Sequence, residues 1–168
     1  MNLVIRSEEP GDIEAIYELT KNAFQGRPYA GGDEQDVVNA LRSQGALTLS
    51  LVAEWQNQIV GHAAFSPATT TEGSPDWFAL GPISVSPDLQ GKHVGSALME
   101  AGLATLRLQG AAGCILTGNP AYYSRFGFGF APEHVPEAEE AQYFMVLPMS
   151  DTAPDGRFIF HPSFYGPT

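Results

Sequence analysis

Residues Gln90 to Ser96, Gln-Gly-Lys-His-Val-Gly-Ser, set two glycines and a lysine just after the run Ile83-Ser84-Val85. A strand-to-helix turn leaves the first helical N–H groups unbonded at the positive end of the helix dipole, which suits a phosphate or pyrophosphate. Gly91 and Gly95 let the backbone come close to such a ligand, and Lys92 adds a mobile positive charge. A Walker A loop would need a glycine five residues before Gly91 and Ser or Thr after Lys92, where this chain has Ser86 and His93. The G-x-G-x-x-G dinucleotide spacing is also absent. Taken alone, two glycines do no more than shape a turn.

The second chemical segment is Asn119-Pro120-Ala121-Tyr122-Tyr123-Ser124-Arg125-Phe126-Gly127-Phe128. A phenol can hand a proton or a hydrogen bond to a departing group. An arbitrary tyrosine pair is more often core packing. Asn119 ahead of Pro120 also fits the N-cap of a short helix. No carboxylate lies between Trp77 and Pro87 to act as a base; a water chain could serve, while Glu34 and Glu54 read better as solvated surface. His62, on a strand, reads as a satisfied, half-buried histidine, and His62, His134 and His161 lack ligand-like spacing, so no metal is expected. Cys114, beside Ile115 and Leu116, reads as a buried thiol without a resolving partner.

These residues need elements to position them. Leu3 to Ile5 predicts a strand, Asp12 a helix cap, and Ile13, Ile16, Tyr17, Thr20 and Phe24 a helical stripe. A second helix is expected from about Asp33, with Val37, Ala40 and Leu41 inward. Alternation over residues 47–53 and 59–65 around Gln56-Asn57 predicts a hairpin, followed by an exposed loop over 67–76. Gly81-Pro82 inside the next strand, Trp77 to Val85, predicts a bulge or a splayed edge. A long helix is expected from Gln90 to near Gly110, then a buried strand over Gly113 to Thr117 and a brief helix over Ala121 to Arg125. Pro132 to Ala141 reads as a surface excursion, and Tyr143 to Leu147 and Arg157 to Phe160 as late strands.

At 168 residues and 43% apolar content, one domain spanning 1–168 is expected. No apolar run approaches a membrane span and the N-terminus lacks a signal-peptide pattern, so a cytoplasmic protein is expected. The net charge of −11 makes nucleic acid and anionic membrane poor partners and would suit a cationic amine. The assembly state, including a homodimer, is left open by the sequence.

Taken together, the segments Ile83–Ser96 and Asn119–Phe128 resemble the GNAT superfamily of N-acetyltransferases, and within it the bacterial YhbS-like branch. Ile5-Arg6 through Asp12 and Ile16, the hairpin, and His161-Pro162-Ser163-Phe164 share the likeness less specifically. The resemblance implies a mixed α/β fold: a central, mostly antiparallel twisted sheet with a splayed strand pair, flanked by helices. It implies acetyl-CoA as cosubstrate, with its pyrophosphate on Gln90, Gly91, Lys92, His93, Val94, Gly95 and Ser96, and its pantetheine arm on Ile83, Val85 and Asn119. His93 departs from the family pattern, which has glycine there; a helical backbone would accept it with its N–H still able to donate. The Ile83 N–H would polarise the thioester carbonyl, and Tyr123, four residues before Gly127, would protonate the departing thiolate while Tyr122 packs.

The implied activity is direct transfer of an acetyl group to an amine, on a small molecule or a protein, within a ternary complex. Residues 24–33 and 132–168 are expected to shape the acceptor site. Two rivals share the fold: an acetyl-CoA sensor without turnover, and a module whose His93 has abolished cofactor binding.

Overall fold

The apolar alternation builds a mixed eight-stranded sheet in the computed structural model, which describes residues 1–166. In chain order the elements are β1 (Val4–Ser7), α1 (Ile13–Phe24), α2 (Glu34–Ser43), β2 (Leu49–Trp55), β3 (Gln58–Thr70) and β4 (Trp77–Val85). There follow α3 (Val94–Leu108), β5 (Gly113–Thr117), α4 (Pro120–Tyr123), β6 (Gly129–Phe130), β7 (Phe144–Pro148) and β8 (Phe158–Ile159). The strands lie in the order β1-β2-β3-β4-β5-β7-β6, with β8 added to the far end of β3. Every pairing is antiparallel except β4 with β5, so the mixed fold expected from the sequence is the one observed. Pro167 and Thr168, the end of the tail expected to shape the acceptor site, lie outside the described residues.

Alternation divides the core between the two faces. Leu51, Ala53, Ala63, Phe65, Leu80, Cys114 and Leu116 form one cluster with Val94, Leu98 and Met99 of α3. Close approach of α3 requires glycine at two points: a Cβ on Gly61 would lie 2.8 Å from Val94, and Gly102 rests on the ring of Phe65. On the opposite face Val52 packs with Ile16 of α1 and Val38 of α2, while Trp77, Ala79 and Ile115 meet Phe144 and Phe158.

Among the differences from the sequence expectation are two boundaries and one cap. Strand β3 runs on through Thr70, where a loop was expected from Pro67. Beyond Phe65 it has parted from β2, so Pro67 sits on a freed edge without removing a bond to that neighbour. Helix α3 begins at Val94, so Gln90 to His93 are turn and not its first residues. Asp12 does stand before α1, but its carboxylate bonds Arg6 and the Glu9 N–H instead of capping the helix. The predicted hairpin holds, with Gln56 at φ 51° and Asn57 at φ 62°, both left-handed, as a two-residue connection favours.

Candidate active site

The central feature is where β4 leaves β5. The two strands pair only from Trp77↔Gly113 to Ala79↔Ile115, after which β4 continues to Val85 without β5 beside it. On its other edge Ala63 pairs with Ile83 and Phe65 with Leu80, so Ala64 faces both Gly81 and Pro82. This is the bulge expected from the Gly-Pro pair.

Backbone polarity at the opening follows from the register. The Ser86 N–H bonds the Val60 carbonyl at 2.8 Å, in line with His62↔Ser84 and Gly61↔Val85. In an antiparallel ladder bonded pairs alternate with unbonded ones, so Ser84 turns its backbone groups to β3 and Ile83 and Val85 turn theirs away. Their N–H and C=O groups therefore face the opening. Consistently, the Val85 carbonyl accepts the side-chain amide of Gln90 at 3.3 Å.

The turn from β4 to α3 is left-handed at two residues, Gly91 (φ 79°) and His93 (φ 68°, ψ 14°). The sequence expectation of a helical backbone at His93 is corrected here: it is the N-cap of α3, in the αL region. Glycine would adopt that conformation without steric cost, and histidine is among the side chains that tolerate it. Lys92 and His93 are exposed, and the path then enters α3 through the buried Val94 and the half-buried Gly95 and Ser96. Gln90 is held from outside the turn, since Arg27, in the loop between α1 and α2, donates from Nη2 to its Oε1 at 2.9 Å.

Helix α4 closes the other wall. Asn119 Oδ1 accepts the Ala121 N–H at 3.0 Å, so it is the helix N-cap, and its amide nitrogen remains for a ligand. The Tyr123 ring lies against Gly118, and it packs on the α3-side core. Burial pushes its phenol up to about 12, helped by nearby Tyr122 and Tyr29, so it stays protonated at neutral pH. Tyr122 does more than pack: its hydroxyl is 3.4 Å from Ser96 Oγ, at the start of α3, and the Arg125 guanidinium lies 4.8 Å over its ring.

The remaining candidates have structural partners. Glu34 accepts the N–H groups of Gly31 and Gly32, and Glu54 bonds Arg6. His62 is fully buried, where half-burial was expected. Its Nε2 meets Ser50 Oγ at 2.7 Å, and Ser50 donates to Glu8, which Arg42 grips through two nitrogens. His62 Nδ1 has no partner, as is true of Ser84 Oγ on the strand opposite. Burial lowers His62 to about 4 against the pull of Glu8, keeping it neutral. Cys114 is buried, and that burial pushes its thiol up to about 12. No group of three or more metal-ligating side chains occurs among the described residues, and none of their helices is long and apolar enough to cross a membrane.

Sequence reasoning missed Arg27 and the polar contact of Tyr122. Arg27 lies 63 positions from Gln90, so no local pattern links them. The site presents outward-facing backbone amides, a helix N-terminus with Lys92 ahead of it, and a neutral phenol. That arrangement fits an elongated ligand with amide groups at one end and phosphates at the other.

Comparison with known proteins agrees with this fit. Residues 4–131 match the model of the acetyltransferase (GNAT) domain. The chain is 34% identical over 160 residues to the uncharacterized N-acetyltransferase YhbS of Escherichia coli, covering 92% of each. A crystal structure of a GNAT family acetyltransferase from Brucella melitensis in complex with acetyl-CoA superposes with TM-score 0.87 at 41% identity, covering 97% of this chain and 98% of that one. The E. coli YhbS structure in complex with CoA gives TM-score 0.88 at 30% identity, over 97% and 92% of the two chains.

Proposed function

The chain belongs to the GNAT acetyltransferase family, and from that premise we propose that it moves an acetyl group from acetyl-CoA to an amine by direct transfer in a ternary complex. The observation that carries this reading is the divergence of β4 from β5, with Ile83 and Val85 turning backbone groups into the gap beside the Gln90–Ser96 turn. Residues 1–168 act as one acetyltransferase domain, working in the cytoplasm on a small-molecule or protein amine.

The turn N–H groups from Gly91 to Ser96 and the charge of Lys92 hold the pyrophosphate. Ile83 and Val85 bond the pantetheine arm as a strand would, and the Val85 carbonyl becomes available when the Gln90 side chain swings aside. The Asn119 amide nitrogen adds a further donor. The Ile83 N–H polarises the thioester carbonyl as negative charge grows on its oxygen. Tyr123, neutral and half-buried beside Gly118, gives a proton or hydrogen bond to the departing sulfur. Much of the acceleration comes from holding amine and thioester together, so no covalent enzyme intermediate is needed. His93 keeps the turn's path through its left-handed backbone, which favours retained cofactor binding over a degenerate module.

Calorimetric titration with acetyl-CoA, beside dephospho-CoA and ATP, tests the cofactor assignment. Saturable binding of acetyl-CoA with weak ATP binding is expected. Absence of acetyl-CoA binding would overturn the proposal.

A further inference from the structure

The family reading supplies an acid for the sulfur but no base for the amine; resting on that reading, we propose that Glu139 takes the proton from an aliphatic primary ammonium acceptor that enters opposite α3. Thr117 is the last residue of β5 and lies beyond the point where β4 has separated. Cys114 and Leu116 belong to the α3-side cluster and Ile115 to the other, so strand alternation turns Thr117 away from α3. Its Oγ1 donates to Glu139 Oε1 at 3.1 Å, which sets the carboxylate at the lip of the opening.

The C-terminal turn makes a wall there. Phe164 Cε1 lies 3.7 Å from where a Cβ on Gly81 would stand, at the β4 bulge, and the ring packs on α2 through Val37 and Leu41. Burial pushes the phenol of the next residue, Tyr165, up to about 12, and the charge of Glu139 adds to this. The Phe164 ring thus offers an apolar surface beside the bulge, which suits the alkyl chain of a cationic amine.

Glu8 and Glu54 are held by arginines and Glu34 by backbone N–H groups, whereas Glu139 has no salt-bridge partner among the described residues. Burial raises its carboxyl, the Thr117 bond opposes this, and neighbouring Glu140 adds to it, moving the group toward the range of a working base. The groups bearing on its titration are Thr117, Glu140 and Tyr165.

The proton balance is complete. The ammonium gives one proton to Glu139, and the freed lone pair forms the C–N bond as the C–S bond breaks. Tyr123 lends its proton to the sulfur, and the second nitrogen proton replaces it through solvent. The net products are the amide, the thiol and one proton, which Glu139 releases to water.

The test compares wild-type and Glu139→Gln proteins on two amines: butylamine, protonated at neutral pH, and hydroxylamine, uncharged there. We expect kcat/KM for butylamine to fall about 10²-fold, recovering as pH rises, with hydroxylamine little changed and acetyl-CoA affinity intact. Glu139→Asp should restore part of the butylamine rate with a shifted acidic limb. Equal losses on both amines, or no loss, would overturn the assignment. Failure of the wild-type protein to acetylate butylamine would overturn the acceptor class. A wild-type protein that binds no acetyl-CoA would instead sink the family-based reading of function.

Discussion

Tyr123 and Gly118 are in direct contact: a Cβ added at residue 118 would lie 2.5 Å from Tyr123 Cε2. The end of β5 and the ring of α4 therefore set each other's position, and the phenol's location depends on a residue without a side chain. Tyr123→Phe should lower kcat about 10²-fold while leaving acetyl-CoA affinity nearly unchanged, because only the proton donor is lost. Gly118→Ala should lower kcat as well, by moving the ring. Titration and steady-state kinetics on both variants check this; a large loss of affinity in Tyr123→Phe would move the residue into binding.

Gly95 stands where α3 starts, and a Cβ there would meet the Tyr122 hydroxyl at 3.2 Å and Val85 at 3.7 Å. Gly95→Glu adds bulk and a like charge at the phosphate turn, so CoA affinity should fall at least tenfold, about 1.4 kcal/mol. Undiminished affinity by calorimetry would displace the proposed pyrophosphate site.

His93 is held at φ 68°. His93→Gly should preserve the turn and raise stability by up to about 1 kcal/mol through relief of the left-handed backbone, offset in part by glycine's greater unfolded freedom. His93→Val should lose stability, because a branched Cβ is poorly accommodated there. Urea titrations of both variants would decide; an equally stable valine variant would contradict the geometry.

Burial lowers His62 to about 4 from an ordinary value of 6.5, so the folded state binds its proton less readily than the unfolded chain does. Its stabilising neutrality is full above pH 6.5 and is lost as pH falls toward 4. The Glu8 carboxyl is raised by burial but held below its ordinary value by Arg42 and Ser50, so its contribution is lost at still lower pH. The urea midpoint should therefore decline between pH 6.5 and 4, and His62→Phe should flatten that slope whatever its overall stability. A slope unchanged in the variant would assign the pH dependence elsewhere.

Much of this molecule was legible along the chain. Strands β4 and β5 fall where their apolar runs predict, Gly81-Pro82 marked the bulge, and Asn119-Pro120 marked a capped helix. The turn from Gln90 to Ser96 was recognisable because anion binding at a strand-to-helix junction needs small residues and a cation close together in sequence. These features are local: propensity and periodicity act over a few residues.

Which way those residues face, and what they meet, follows from strand register and packing between distant elements. Ile83 and Val85 point into the opening because of their register against β3, and the opening exists because β5 stops pairing at Ile115. His93 was expected in a helix, yet helix and turn differ there by the sign of φ, which the residue type leaves undetermined. Arg27 on Gln90, Tyr122 near Ser96 and Glu139 on Thr117 join elements that are distant along the chain. Local propensity and periodicity set the elements and the chemical residues they carry; long-range packing set how they meet, because such contacts depend on register and loop path and leave no periodic trace.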